Sequence, residues 1–309
     1  ADRLVYRQIP EDAVADAALR TGEIDLIVDA NPASAQRLSA DSTLVVTSFP
    51  AAEYALIAWN TRRDPFTDPL VRRSLTLAMD RESIVDVVRG PYGSVSAGPV
   101  GPWHWTYDPS WEPIPFAPDS ARALLEQSGW TDEDGDGVRE NRGVPLRFEL
   151  LFTPRQAWMD VATIVQANLA DIGAAVEPGA REQASLVPLV TSPDRRFDAF
   201  LVSWARDVPL DDRDLWACDR VEDPMHFTGW CHPELDAVLD SMQFVADRES
   251  LRRLTRRYET LVAEAQPYTF LFNVETVLAR RAGLRGVSAD ARGTWASVTE
   301  WWLDPEARR

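Results

Sequence analysis

The clearest pattern of hydrophobic and polar positions lies in residues 54–90. Residues 54–60 are almost all apolar or aromatic, which is typical of a buried strand. Asp68 followed by Pro69 predicts the N-cap and the first residue of a helix. Asp80 is expected to cap a second short helix that ends at Gly90. The stretch therefore predicts a strand that leads into a helical pair.

The first 28 residues predict a strand, a short helix and a second strand. Residues 4–10 are mostly apolar, residues 11–19 have helical spacing, and residues 24–28 form an apolar run. Gly22 fits the residue that ends such a helix, because glycine adopts the left-handed conformation easily. The second strand should be buried and parallel to its neighbours.

The middle of the chain alternates between strand and helix patterns. Residues 119–129 predict a short helix with Asp119 as its N-cap. Residues 145–152, 174–177 and 197–204 predict strands, and the segments between them, which begin near residues 154 and 182, predict helices. This order is typical of an α/β layer with a mostly parallel sheet. Because ligands gather beyond the carboxyl ends of such strands, we expect a binding site after Phe152 and after Val202.

Composition limits the possible partners. The chain has 309 residues, 45% of them hydrophobic, and a formal net charge of −17. Such an acidic surface argues against nucleic acid or an anionic membrane as a partner. No apolar run approaches the roughly 20 residues that cross a bilayer. No Ser-His-Asp order, metal-ligand helix or Gly-rich phosphate loop indicates an enzyme, and we expect no cofactor.

An acidic turn at residues 132–137 is a candidate cation site. Asp132, Asp134 and Asp136 alternate before glycines, as at the start of a calcium loop. The twelfth position is Gly143 instead of the glutamate that an EF-hand uses. A solvated turn is therefore the favoured interpretation, and calcium binding is the alternative.

The run Asn-Thr-x-x-x-Pro-Phe-x-Asp-x-x-Val-Arg-x-x-Leu-x-x-Ala-x-Asp-Arg-x-x-Ile-Val in residues 60–85 resembles a family signature. It is similar to family 5 of the extracellular solute-binding proteins, the oligopeptide and dipeptide capture subunits of ABC importers. The resemblance implies an α/β fold like that of type II periplasmic binding proteins. It also implies a location in the periplasm or outside the cell.

The resemblance further implies two lobes. Residues 1–62 would belong to the first lobe, residues 63–270 would form the second, complete α/β lobe, and residues 271–309 would return to the first. The apolar stretches 54–60 and 266–273, which both end in Asn, would be the two crossings. In the family a long segment precedes this region, so we expect an N-terminally truncated fragment. A lipid anchor on the absent part is one option.

Two parts of the chain match family segments that border the ligand. The Pro- and Trp-rich segment 98–118 makes Trp105 and Tyr107 candidate walls of the cleft, although for either ring alone the favoured interpretation is that it holds the loop to its own domain. Arg155 follows a strand at a helix N-terminus, where the family holds a peptide carboxylate. The alternative for Arg155 is a solvated helix start.

The run Ser203-Trp204-Ala205-Arg206-Asp207 resembles a Trp-x-x-Asp motif of the peptide binders. The resemblance implies that Asp207 binds the α-amino group of a peptide, beside Trp204. Main-chain groups near Ala205 would pair with an extended peptide as an added strand. The alternative is that Asp207 begins a solvated acidic loop, since further aspartates follow it: Asp211, Asp212 and Asp214.

The family's peptide binders carry a cysteine pair of similar separation, so we expect a disulfide between Cys218 and Cys231. Metal binding by these cysteines with His226 and His232 is the alternative, although the spacing does not fit a zinc ribbon.

The expected function is solute capture for an ABC importer, with a peptide bound between two lobes. Alternative solutes on the same scaffold are a nickel chelate, an opine or a sugar, and a less favoured alternative is an acidic hydrolase. The expected partners are the solute and a membrane permease, and the protein itself should be a monomer that does not insert into the membrane.

Overall fold

The computed structural model describes residues 3–206, 209–290 and 292–305, and its main feature is a seven-stranded sheet. The strands are β1 (Leu26–Val28), β2 (Leu44–Trp59), β3 (Gly93–Val95), β4 (Glu140–Asn141), β5 (Val144–Pro145), β6 (Arg147–Phe152), β7 (Ala175–Ala180), β8 (Ala199–Ala205), β9 (Tyr268–Arg281), β10 (Leu284–Arg285) and β11 (Trp302–Leu303). The large sheet has the order β1–β9–β2–β8–β6–β7, and β3 pairs with β9 as well. The pairs β4–β5 and β10–β11 form two small sheets.

Helices cover both faces of the large sheet. They are α1 (Asp12–Thr21), α2 (Pro32–Leu38), α3 (Pro69–Leu77), α4 (Arg81–Val88), α5 (Pro118–Gln127), α6 (Gln156–Ala170), α7 (Gln183–Thr191), α8 (Arg213–Trp216), α9 (Pro233–Phe244) and α10 (Arg248–Ala265). Short 3-10 helices lie at Gly90–Tyr92, Cys218–Arg220 and Thr294–Glu300.

The sheet is mixed, which corrects the expectation of a mostly parallel one. Strand β6 is parallel to β7 and to β8, as the alternating pattern predicted. The pairs β2–β8, β2–β9, β1–β9 and β3–β9 are antiparallel. A parallel pair needs a crossover element between its strands, and α6 and α7 supply the crossovers only among β6, β7 and β8.

The two long strands β2 and β9 lie side by side along most of their length. Their register pairs Val46 with Ala279 at one end and Ala55 with Phe272 further along, with a shift between Pro50 and Tyr54. The predicted crossings at residues 54–60 and 266–273 are therefore neighbours in space.

Alternate residues of β2 enter separate hydrophobic cores on the two faces of the sheet. Ile57 and Trp59 point into the first core, under α3 to α6, where Phe66 stacks on Trp59 with ring centroids 5.1 Å apart. Tyr54 and Leu56 point into the second core, which α7, α9 and α10 help to form. The sheet thus separates two apolar layers, as in other α/β domains.

A third, smaller core lies at the other end of the long strands. It is formed by α1, α2 and the outer segments of β2 and β9, with Leu19, Leu38 and Val277 fully buried at its centre. The hydrophobic residues of this core form a cluster separate from the two larger ones.

The helical pair predicted after β2 is confirmed. The Asp68 carboxylate accepts the Leu70 N–H at 2.8 Å, and the Asp80 carboxylate accepts the Ser83 N–H at 3.0 Å. Two buried arginines of the same stretch then bind carbonyls near the start of β9. Arg72 donates from Nε to Ala265 at 3.0 Å, and Arg81 donates from Nη1 to Phe270 at 2.8 Å.

Three local predictions were wrong. Residues 4–10 contain no strand and are largely exposed, since no described strand lies beside them. Strand β1 is half-buried instead of buried, and it is antiparallel to β9, its one neighbour among the described strands. The helix α5 begins after Ala117 without a side-chain cap, and Asp119 lies inside its first turn, paired with Arg122.

Candidate ligand-binding site

Two of the predicted site segments leave the sheet at the same edge. The parallel register of β6 and β8 pairs Leu151 with Phe200, so both strands end toward the same side. Arg155 follows β6, while β8 continues to Trp204 and Ala205. The carboxyl ends of adjacent parallel strands are the usual place for a ligand in such sheets.

Arg155 is exposed at the N-cap of α6. In the described part of the chain its side chain has no hydrogen-bond or ion-pair partner, and no side chain caps the helix. An unpaired guanidinium beside the free N–H groups of a 15-residue helix suits a carboxylate. The predicted role of Arg155 is chemically possible and stays a prediction.

Trp204 and Ala205 end strand β8 opposite β2. Trp204 pairs with Tyr54 and is half-buried, and its ring meets the Phe227 ring edge to face with centroids 5.4 Å apart. Ala205 is exposed. Asp207, the predicted binder of the amino group, lies outside the described residues.

A buried ion pair follows β8, and sequence reasoning missed it. The Arg206 guanidinium binds the Asp212 carboxylate, and their side chains are only 5% and 1% exposed. The Tyr258 hydroxyl donates to the same carboxylate, while the Trp216 indole N–H donates to the Tyr258 oxygen at 3.0 Å. In the alternative interpretation of a solvated acidic loop Asp212 would be exposed, but only its neighbours Asp211 and Asp214 are exposed and Asp212 is buried.

Each charge of this buried pair compensates the other. Burial alone would lower the pKa of Arg206, but the adjacent Asp212 carboxylate reverses this effect and raises the pKa. A charge this far from water is stable only when it is paired and hydrogen bonded. The ion pair therefore fixes both ends of the segment that follows β8.

Trp105 and Tyr107 both contact their own domain. Trp105 is 40% exposed, and the guanidinium carbons of Arg248 and Arg252 lie 5.3 and 5.5 Å from the centre of its ring. Tyr107 is half-buried against the second core. These contacts agree with the loop-holding alternative, and the role of either ring as a cleft wall stays a prediction.

The cysteine pair is bonded, as expected. Cys218 and Cys231 form a disulfide across a sequence separation of 13 residues. The metal alternative is therefore wrong, because the sulfurs are joined to each other. His232 instead caps α9, accepting the Glu234 N–H at 3.2 Å, and His226 is fully buried.

The acidic turn brings three carboxylates together at the surface. Oxygens of Asp132, Asp134 and Asp136 lie within 4.8 Å of one another, and all three residues are exposed. The Asp132 carboxylate accepts hydrogen bonds from the Gly135 N–H at 2.8 Å and the Gly137 N–H at 3.1 Å, so it already stabilises the turn. Calcium binding here stays a prediction.

Comparison with known proteins decides the family. Residues 1–222 match the model of the bacterial extracellular solute-binding proteins, family 5 Middle, which is well over half of the chain. The chain belongs to this family. The resemblance carried by residues 60–85 is thereby confirmed, and with it the α/β fold of the periplasmic binding proteins. No helix in the described part of this family 5 protein is long and apolar enough to span a membrane.

Two curated relatives of this family 5 protein are peptide-binding proteins by name. The oligopeptide-binding protein AppA of Bacillus subtilis is 28% identical over 307 residues, which are 98% of this chain and 56% of AppA. A dipeptide-binding protein of Pseudomonas aeruginosa is 25% identical over 274 residues, 87% of this chain and 49% of the relative. The chain thus spans about half the length of these relatives.

Solved structures share the fold. The structure of AppA in complex with a nonapeptide matches with a TM-score of 0.82, covering 96% of this chain and 59% of AppA. NikZ from Campylobacter jejuni, solved with Ni(L-His), matches with a TM-score of 0.79 and 21% identity, over 96% of this chain and 60% of NikZ. At that identity the NikZ match shows the fold alone.

Proposed function

We propose that this family 5 protein captures peptides outside the cytoplasm for an ABC importer. The observation that carries the proposal is the likeness to AppA, whose structure holds a nonapeptide and whose sequence matches along nearly the whole chain. A dipeptide-binding protein of Pseudomonas aeruginosa also matches, over 87% of this chain. The family consists of binding proteins, so we assign no catalytic residue.

We also propose that the chain spans two lobes joined by β2 and β9. Residues 1–62 and 271–309 would contribute to the first lobe and residues 63–270 would form the second. The separate small core at the outer ends of β2 and β9 supports this division. A ligand between the lobes would favour the closed state by contacting both, and a membrane permease would recognise that state. The protein would act as a monomer, and a lipid anchor could hold it at the membrane.

The proposed peptide contacts lie at the ends of β6 and β8. Asp207 would bind the α-amino group, because an ammonium leaving water needs an opposite charge. The main chain at Ala205 would pair with an extended peptide beside Trp204. Such main-chain hydrogen bonds do not depend on the side chains of the peptide. Arg155 would bind a peptide carboxylate in short ligands. Trp105 and Tyr107 would line the cleft.

Calorimetry of the full-length natural protein with peptides of increasing length tests this proposal. Asp207→Ala should weaken peptide binding by about tenfold or more, since hydrogen bonds to a charged group contribute about 1.5–3 kcal/mol. Asp211→Ala is the control, because that residue is exposed in the same acidic segment. Equal affinities of the parent and Asp207→Ala would refute the anchor. A parent protein that binds no peptide would refute the function.

A non-peptide solute is the second candidate. The same fold holds Ni(L-His) in NikZ, so a metal chelate is the first alternative to include in the titrations. An opine and a sugar complete the panel. Binding of one of these compounds together with failure of every peptide would favour this second function.

A further inference from the structure

A cavity of about 280 Å³ lies between the loop before α5 and the helix α10, apart from the strand ends described above. Tyr107 and Asp108 line one side, and Arg252, Arg256 and Glu259 line the other. Its lining residues are mostly polar and charged, with the Tyr107 ring and Pro109 as the less polar part, so a ligand would be held mainly by hydrogen bonds and charge.

Glu259 is the unusual group in this cavity. The residue is 3% exposed, yet in the described part of the chain its carboxyl group has no hydrogen bond and no ion pair. An unpaired buried carboxylate is costly, so the proton is retained. Burial raises the pKa of Glu259 to about 8, and Asp108 adds to this effect while Arg256 opposes it. Near neutral pH the group is therefore an acid with one O–H to donate.

Some of the other groups around the cavity already have hydrogen-bond or ion-pair partners within the protein, and others have none among the described residues. Asp108 accepts from Ser110 through Oδ1 and pairs with Arg256 through Oδ2 at 3.1 Å. Arg256 also lies 4.0 Å above the centre of the Trp111 ring. Arg252 is exposed and lies 5.5 Å from the centre of the Trp105 ring, and neither its guanidinium nor the Tyr107 hydroxyl has a hydrogen-bond or ion-pair partner among the described residues. The free groups are thus hydrogen-bond donors.

We infer that this cavity binds a small carboxylate group, held by the Arg252 guanidinium and the Glu259 carboxyl proton. With Glu259 protonated, two guanidiniums and one carboxylate give the lining a charge of about +1, which favours an anion. A cationic ligand would be repelled by the guanidiniums of Arg252 and Arg256. The carboxylate is that of a free organic acid or of a peptide terminus. The inference does not depend on the peptide function proposed above.

The same arrangement makes binding depend on pH. Above about pH 8 the ionised Glu259 would repel the anion and lose its donor. The charged and titratable groups that face it are Arg252 and Arg256 from its own helix and Tyr107 and Asp108 from the loop. Burial and the neighbouring acids raise the pKa of Tyr107, so this hydroxyl keeps its proton over the same range.

Titration of the 309-residue chain with propionate, followed by NMR, tests the inference. We expect binding at least about tenfold tighter near pH 6 than near pH 9. Glu259→Gln should keep a donor and bind propionate with no pH dependence. Arg252→Ala should lose binding, whereas Arg253→Ala is the matched control, because Arg253 is exposed and paired with Glu249.

Three results would overturn the inference. They are no binding of either propionate or N-acetyl-glycyl-alanine by the parent at either pH, unchanged pH dependence in Glu259→Gln, and equal loss in the Arg252 and Arg253 variants. A second titration compares N-acetyl-glycyl-alanine with its C-terminal amide to distinguish the sources. Binding of propionate and the acid indicates any free carboxylate, and binding of the acid alone indicates a peptide terminus. Binding of the amide as tightly as the acid contradicts a carboxylate site.

Discussion

Mutation of the ion pair between Arg206 and Asp212 tests whether this pair stabilises the segment that follows β8. Asp212→Ala removes one charge and leaves the Arg206 guanidinium, 5% exposed, without its partner. Breaking a buried pair in this way costs about 3–5 kcal/mol. The Tyr258 hydroxyl loses its acceptor at the same time. We therefore expect a loss of this size in the free energy of unfolding.

Urea unfolding measures the effect as a shift in the midpoint at constant slope. Replacing both partners, as Arg206→Met with Asp212→Leu, should recover part of the loss because no buried charge remains, and about 1–3 kcal/mol should persist because the Tyr258 hydroxyl still lacks its acceptor. The matched control is Glu249→Ala, which breaks the exposed pair with Arg253 and should cost less than about 1 kcal/mol. If Asp212→Ala costs no more than Glu249→Ala, the buried pair does not hold this segment.

Further predictions concern the disulfide, the first core and the buried acid. Replacing Cys218 and Cys231 together by Ala should lower the unfolding free energy by about 3 kcal/mol, and adding reductant to the parent should reproduce the loss. Phe66→Ala should cost about 3–5 kcal/mol because the ring is fully buried, whereas Phe244→Ala, whose ring is 89% exposed, should change little in the same denaturation assay. The raised pKa of Glu259 means that the unfolded state loses its proton first, so stability should fall as pH rises from 4.5 to about 8. At 1.36 kcal/mol per pH unit this loss approaches about 5 kcal/mol. The measurement compares the free energy of unfolding of the parent with that of Glu259→Gln, and a difference that stays constant across this pH range would contradict the prediction.

Local signals made much of the framework predictable. Asp68 and Asp80 are N-caps because a short polar side chain before an apolar periodic run has few other roles. Strand β6 could be located because its alternate residues are apolar, with Phe148 and Leu150 buried. The sequence did not predict that β2 is antiparallel to β8 and β9. These strands are joined by long connections, and the hydrophobic pattern of a single segment does not show in which direction the segment runs relative to its neighbours.

The site was harder to predict because it contains buried acidic residues, and acidic residues normally lie at the surface. Asp212 lies in an acidic run that normally indicates a solvated loop, and its partners Arg206 and Tyr258 come together only in the folded chain. Glu259 lies on an arginine-rich helix, where a glutamate usually faces solvent. It is buried nevertheless, and the loop that includes Tyr107 lines the same cavity.

The most direct test of peptide capture is native mass spectrometry of the full-length natural protein, purified without refolding from the extracellular or periplasmic fraction. We expect added masses that match peptides and that disappear when Asp207 is replaced by Ala. Added mass from a nickel chelate, an opine or a sugar, with no peptide at any stage, would contradict it.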